Sequence, residues 1–359
     1  NARLALANYL WATNQPAAAE KSLQDAIALE PNDIRANRAL ATFYLATGRS
    51  AEAEKPLKTI AEADKTGIAS RLALADYYIS NKRETEARPL LTALIQDKQG
   101  FAEAQRRLAA LDFAAGQRES GHRLIDELLT KEPKNAEALL LKGRFLLADK
   151  KVDEALAKIQ AAIDADSKFA AGHYLLGTVY ASRQQNDLAI NAFKINPGAL
   201  GAQMQLAQLS LASGDSKGAM GYAEAAAKSQ PGNPGPQLLL AKAMVAQNQP
   251  EKAEAILNDL AQKFPQAAIP DIQLGALRFQ KKDSAGARRA FERALELDPD
   301  SSEALAGVAA LDLSEKKPQN ALARVEKKLQ ATPDNPNLLL LAAQIYAATG
   351  DAPKAEQLL

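Results

Sequence analysis

His122 and His173 are the two histidines of the chain, and imidazole is the side chain best suited to metal ligation or proton transfer near neutral pH. They stand far apart, and neither has a partner at His-x-x-x-His spacing, so both read as surface or packing residues. Cysteine is absent, which removes thiolate catalysis, disulfides and Cys-ligated zinc. No Gly-x-x-x-x-Gly-Lys phosphate loop, Gly-x-Ser-x-Gly elbow or Gly-x-Gly-x-x-Gly turn occurs. Carboxylates such as Glu52, Glu54 and Glu62 alternate with lysine and read as a solvated helix surface. The residue types thus predict no catalytic residue, no cofactor and no metal. Binding is the chemistry that remains.

The elements that would carry a binding surface are helical. Apolar residues make up 47% of the chain but aromatics only 5%, and alanine is abundant, which suits closely spaced helices. A net charge of +1 supplies no field for nucleic acid or an anionic membrane. No apolar run approaches the ~18 residues needed to span a bilayer. The chain opens at Asn1 in a helical pattern and ends at Leu359 inside another, so it reads as a piece of a longer protein.

A period organises everything else. Small residues recur at Ala19, Ala53, Ala87, Gly121, Ala155 and Ala189, each step 34. After one step of 30 they resume at Ala219, Ala253, Ala287, Ala321 and Ala355. Prolines keep the beat at Pro31, Pro133, Pro197, Pro231, Pro265, Pro299 and Pro333. The spacing predicts ten full units and most of an eleventh, each with two helices. In the second unit Leu40, Phe43, Tyr44 and Thr47 fall on one helical face, Gly48 closes the helix, and SAEAEKPLKTIAEA returns. Gly116, Gly214 and Gly350 are equivalent stops, and Pro-Asn-Asp or Pro-Asp-Ser endings break one helix and cap the next. Small residues at the crossing allow two helices the short end of the 8–10 Å range of axial distances.

This pattern resembles the tetratricopeptide repeat. The likeness is carried by the period, by Gly143, Gly177 and Gly275 in first helices, by Phe193 and Phe291 in second helices, and by Tyr44, Tyr180 and Tyr346. It weakens in units three and four, where Lys65 and Gln99 replace the terminal proline and Gly121 replaces alanine. The resemblance implies an all-α, right-handed α-α superhelix of about eleven helix-turn-helix repeats, with first helices lining a concave wall.

Two shared offsets list what that wall presents. They give Leu45, Ile79, Phe113, Leu147 and Trp11 at one level and Arg38, Arg106 and Tyr174 at the other, with Asp76 and Arg144 one turn away. These ten residues are the candidate partner-binding set, and a large apolar patch of this kind marks a partner. Some relatives grip a peptide carboxylate with Lys and Asn on successive first helices. Asn8 matches one such position, but Leu4, Ala39, Ala69 and Ala73 occupy the others, which disfavours that clamp.

The single step of 30 falls just after Phe193, where Lys194 runs directly into Ile195, Asn196 and Pro197. A loss of four residues shortens the helix by roughly 6 Å and turns its face by about 40°. Glycines at 198, 201, 214, 218 and 221 follow, and each within a helix costs about 1 kcal/mol relative to alanine. The expected organisation is therefore one continuous solenoid with repeats 1–6 in 1–197, repeats 7–11 in 198–359, and a hinge near 193–201.

The expected function is a non-enzymatic scaffold for a protein partner, either a peptide segment or a folded domain, with no nucleic acid and no membrane insertion by this segment. The alanine-rich ends resemble bacterial proteins of exopolysaccharide assembly and secretion, which implies a periplasmic or outer-membrane-associated setting. The alternatives are the recognition arm of a larger enzyme, such as a glycosyltransferase, and a cytoplasmic co-chaperone or regulator.

Overall fold

The structure is a computed structural model that describes residues 2–64 and 67–358. Lys65, one of the two residues standing where a terminal proline is expected, lies outside these, as do Asn1 and Leu359. The described residues form 22 helices and no strand. They divide into two compact units, 1–176 and 177–359, with the division inside one helix.

The first unit stacks antiparallel pairs: α1 (Ala2–Ala12) with α2 (Pro16–Leu29), α3 (Ile34–Ala46) with α4 (Ser50–Ala63), and α5 (Ile68–Ser80) with α6 (Glu84–Leu94). It continues with α7 (Phe101–Ala114) on α8 (Arg118–Lys131) and α9 (Ala136–Ala148) on α10 (Val152–Ala165). The helix α11 (Ala170–Ser182) crosses the division and is followed by α12 (Asn186–Phe193). The second unit then pairs α13 (Leu200–Ala212) with α14 (Ser216–Ser229) and α15 (Pro234–Ala246) with α16 (Pro250–Lys263). Its last pairs are α17 (Ala268–Gln280) with α18 (Ser284–Leu297), α19 (Ser302–Ser314) with α20 (Pro318–Ala331), and α21 (Pro336–Ala348) with α22 (Ala352–Gln357).

The sequence beat is the packing beat. Ala19, Ala53, Ala87, Ala155, Ala189, Ala219, Ala253, Ala287 and Ala321 are all 0% exposed, because each sits where the two helices of a pair approach closely. Glycine takes the facing position where the second helix carries a large side chain. A Cβ on Gly275 would stand 2.7 Å from the Phe291 ring, and one on Gly177 2.8 Å from Phe193.

Every first helix stops the same way. Gly48, Gly116, Gly214 and Gly350 have positive φ, as expected, and so do Asn14, Lys82, Lys150, Gln184, Asn248, Lys282 and Lys316 at the same offset in the other seven repeats. The next helix opens on a cap at several repeats: Asp33 accepts from the amides of Arg35 and Ala36, Asn135 from Ala138, and Ser301 from Ala304.

The repeat with the short step is short in its second helix. The helix α12 has 8 residues where α10 and α14 have 14, and it ends at Phe193, which is 1% exposed.

Candidate functional site

First helices of successive repeats touch one another: α7 meets α9 in the first unit, and α13–α15, α17–α19 and α19–α21 meet in the second. Side chains at shared first-helix offsets therefore share a wall within each unit. The ten predicted residues belong to the first unit, and their surroundings differ sharply.

Trp11 is half-buried and meets Phe43 edge-on with ring centres 5.4 Å apart. With Asn8, Arg35, Arg38 and Thr42 it lines a cleft of about 300 Å³ between α1 and α3. Arg38 is exposed and has no ion pair among the described residues; the same holds for Arg144 on α9. Leu45 is 47% exposed and Tyr174 40%, so both present apolar surface to solvent. Ile79 and Leu147 are half-buried.

Three predicted residues are already engaged inside the protein. Phe113 stacks on Phe145 of the next repeat with ring centres 4.0 Å apart and planes 3° from parallel. The His122 ring meets both edge-on, its Nε2 lies 2.7 Å from Asp149 Oδ2, and Arg118 covers Phe113. Asp76 accepts from Arg107 Nε at 2.6 Å and Nη2 at 2.9 Å. Arg106 pairs with Glu103 and Glu137.

These groups make one charge network across α5, α7 and α9, in which Arg107 also reaches Glu103 at 2.7 Å. Burial acts to raise the Glu103 carboxyl, but hydrogen bonds from Arg107 and Arg106 outweigh it and leave it below its ordinary value. The hydrogen bonds that Arg107 donates to Asp76 raise its own affinity for the proton further. The network fixes three first helices in register and neutralises most of the charge that the wall carries at this level.

Glu52 and Glu62 are exposed, in keeping with a solvated helix surface, but that reading requires correction for Glu54, which is half-buried. Glu54 accepts from Arg83 of the next repeat at 2.6 Å and pairs with Lys58, while Glu52 pairs with Arg49. Glu20 meets Arg49 across the preceding boundary in the same way. Each arginine also lies over a tyrosine, Arg49 on Tyr44 and Arg83 on Tyr78, both 4.7 Å from the ring centre. At the next boundary the signs invert. Arg88 takes the offset of Glu20 and Glu54, Asp112 takes that of Tyr44 and Tyr78, and the two pair at 2.6 Å. The second unit repeats the device with Glu254–Arg278 and Arg288–Asp312. The signal was in the sequence: charged residues repeat at 34, which a local i,i+4 reading does not detect.

Among the described residues no group of His, Asp or Glu is placed to hold a metal ion, and no helix is long and apolar enough to cross a membrane.

The chain resembles known structures in fold. It is similar to yeast Tom70, with 16% identity and a TM-score of 0.51 over 99% of this chain and 90% of that one. A tetratricopeptide repeat protein from Parabacteroides merdae matches with 16% identity and a TM-score of 0.57, covering 68% of this chain and 98% of its own. A human IFIT1 dimer with m7Gppp-AAAA matches with 17% identity and a TM-score of 0.50, over 99% and 88% of the two chains. Comparison with curated proteins gives no match. Family models described as Tetratricopeptide repeat match residues 10–77, 210–274 and 312–359 with one model, 106–168 with a second and 272–301 with a third. With one such model covering more than half of its length, the chain belongs to the tetratricopeptide repeat family.

Proposed function

We propose that the chain is a non-enzymatic scaffold whose first-helix wall in the first unit holds a segment of a partner protein. The observation that carries this reading is the contrast along that wall. The charges of Asp76 and Arg106 are paired within the protein and Phe113 is stacked there, whereas Leu45 and Tyr174 are 47% and 40% exposed and Arg38 and Arg144 have no ion pair among the described residues. Exposed apolar anchors flanked by unpaired arginines suit an apolar protein segment that carries acidic side chains. Most cations near the wall's centre are neutralised by carboxylates, which favours a protein partner over a polyanion such as nucleic acid. We place that partner in bacterial exopolysaccharide assembly or secretion; the support is the alanine-rich texture of both ends of the chain.

The test compares the parent with a Leu45→Asp, Tyr174→Asp variant as bait, with bound proteins identified by mass spectrometry. Both side chains are exposed, so helicity by circular dichroism should be unchanged. A partner retained by the parent and lost by the variant supports the assignment. Equal capture by both removes this wall as the site.

A further inference from the structure

The second unit contains a cleft of about 320 Å³ between α16, α17 and α18, remote in sequence from the wall just described. Six polar side chains converge on it: Asn258 and Gln262 from α16, Asp271 and Arg278 from α17, and Arg289 and Arg293 from α18. Asp271 is 4% exposed, and its Oδ2 is fully buried without a hydrogen-bond partner. Arg293 Nε stands 3.4 Å from that oxygen, near enough for attraction but without hydrogen-bond geometry. Arg278 is held back by Glu254 at 2.9 Å and Asn258 at 3.4 Å. Arg289 is exposed and has no ion pair among the described residues.

The stack itself does not require a carboxylate here. At the same first-helix offset Leu139 and Leu305 are buried at 6% and 5% exposure. Where the position is buried and polar elsewhere it carries a neutral amide, Asn37, Gln105 or Gln203, so Asp271 is the buried carboxylate of the series. A buried carboxylate lacking a donor costs free energy, and burial pushes Asp271 above its ordinary value against the pull of Arg293 and Arg278. Leucine would avoid that cost. What the cleft lacks is therefore a donor for Asp271 and an acceptor for Arg289 and Arg293, and one ligand can supply both.

We infer that this cleft binds a small oxyanion that carries its own hydrogen-bond donor, with its charge on Arg289 and Arg293 and its donor on Asp271. A protonated phosphate and an acidic amino acid share this chemistry, through P–OH and ammonium respectively. A fully ionised anion without a donor would place two negative groups against each other. The carboxylate thus acts as the selecting group and the arginines as the attracting ones.

Isothermal titration with two pairs of probes tests this: phosphate against sulfate, and glutamate against glutarate. In each pair the second member keeps the anion but lacks the donor. The expected result is binding of phosphate or glutamate about tenfold or more tighter than its twin, the effect of one charge-assisted hydrogen bond. A preference confined to the first pair assigns a phosphate ligand, and one confined to the second an amino acid. Asp271→Asn, which removes the charge and adds a donor, should erase the preference. Arg289→Ala, at an exposed position that the fold does not use, should weaken binding of the preferred probe about tenfold. No heat with any probe, equal affinity within both pairs, a preference that survives Asp271→Asn, or full affinity in Arg289→Ala would each overturn the assignment. Circular dichroism of both variants checks their folding, and Arg289→Ala decides the matter if Asp271→Asn fails to fold.

Discussion

Glu54 of α4 and Arg83, which precedes α6, join two repeats at 2.6 Å, and Glu20 and Arg49 stand in the same relationship one repeat earlier at 2.5 Å. The helix stack of the first unit is thus tied by a translated ion pair as well as by apolar contact. Such pairs set register between neighbours, since a slipped repeat would face unpaired charges.

The pair has a pH signature. The hydrogen bond from Arg83, helped by that from Lys58, lowers Glu54 from 4.5 to about 2. Between these values the folded chain binds fewer protons at this site than the unfolded chain. The contribution to stability is therefore complete above pH 4.5 and is lost as pH falls towards 2. Because both side chains are partly solvated, it should amount to no more than about 1 kcal/mol. Urea unfolding of Glu54→Gln should show a shallower loss of stability than the parent across that window. An identical slope would mean that Glu54 is not lowered.

The inverted boundary makes a sharper case. The side chain of Asp112 is only 9% exposed and takes hydrogen bonds from Arg88 and from Ser120 at 2.6 Å each. Arg88→Ala leaves that carboxylate buried with one neutral donor and should cost about 1–3 kcal/mol. Combining Arg88→Glu with Asp112→Arg should recover part of what each change costs alone. Chemical denaturation of the two single variants and the double measures the coupling. Strict additivity would show that the two groups merely lie close.

Two glycines should respond oppositely to the same methyl group. At Gly275 an added Cβ meets Phe291 at 2.7 Å, so Gly275→Ala should destabilise the second unit by about 1–3 kcal/mol through overpacking. At Gly221, inside α14, nothing lies within 4 Å. Gly221→Ala should therefore stabilise by about 0.5–1 kcal/mol, because alanine loses less backbone entropy in a helix. Thermal melts of the two variants, read against the parent, decide both signs.

These contrasts show which parts of the molecule were legible in the sequence. The period, the small crossing residues and the helix pairs could be read because close approach admits so few residue types. Ala53 and Gly275 have almost no substitutes. The turn after each first helix was legible only where it is glycine, as at Gly48; Lys82 and Lys150 adopt the same left-handed backbone, and nothing in a lysine announces it. The period shows which first-helix positions correspond from repeat to repeat, but the availability of the side chains there was hidden. Arg106 and Arg38 share an offset and differ only in whether carboxylates such as Glu137 stand across from them. Pairing of that kind is a property of two repeats taken together. A pattern read along one helix cannot contain it.

The short repeat carries the last prediction. The helix α12 stops at Phe193 after 8 residues, and the next second helix, α14, buries Ala219, Ala223, Ala226 and Ala227 with no larger side chain. By comparison α10 buries Ile159 and Ile163, and α18 buries Phe291. Burial of apolar area contributes roughly 25 cal/mol per Å², so alanine contacts tie these neighbours more weakly than isoleucine or phenylalanine would. In a nearest-neighbour array the weakest interface sets where cooperativity breaks. Native-state hydrogen exchange should then find α12 to α14 opening at lower free energy than α3 and α4 or α17 and α18, which locates a hinge near 193–201. Inserting Lys-Ala-Leu-Glu after Phe193 restores the step of 34 and should raise protection in α12 and α13. Uniform exchange along the chain, or a loss of protection on insertion, would mean that Phe193, seated against Gly177, closes the short helix as firmly as a full one.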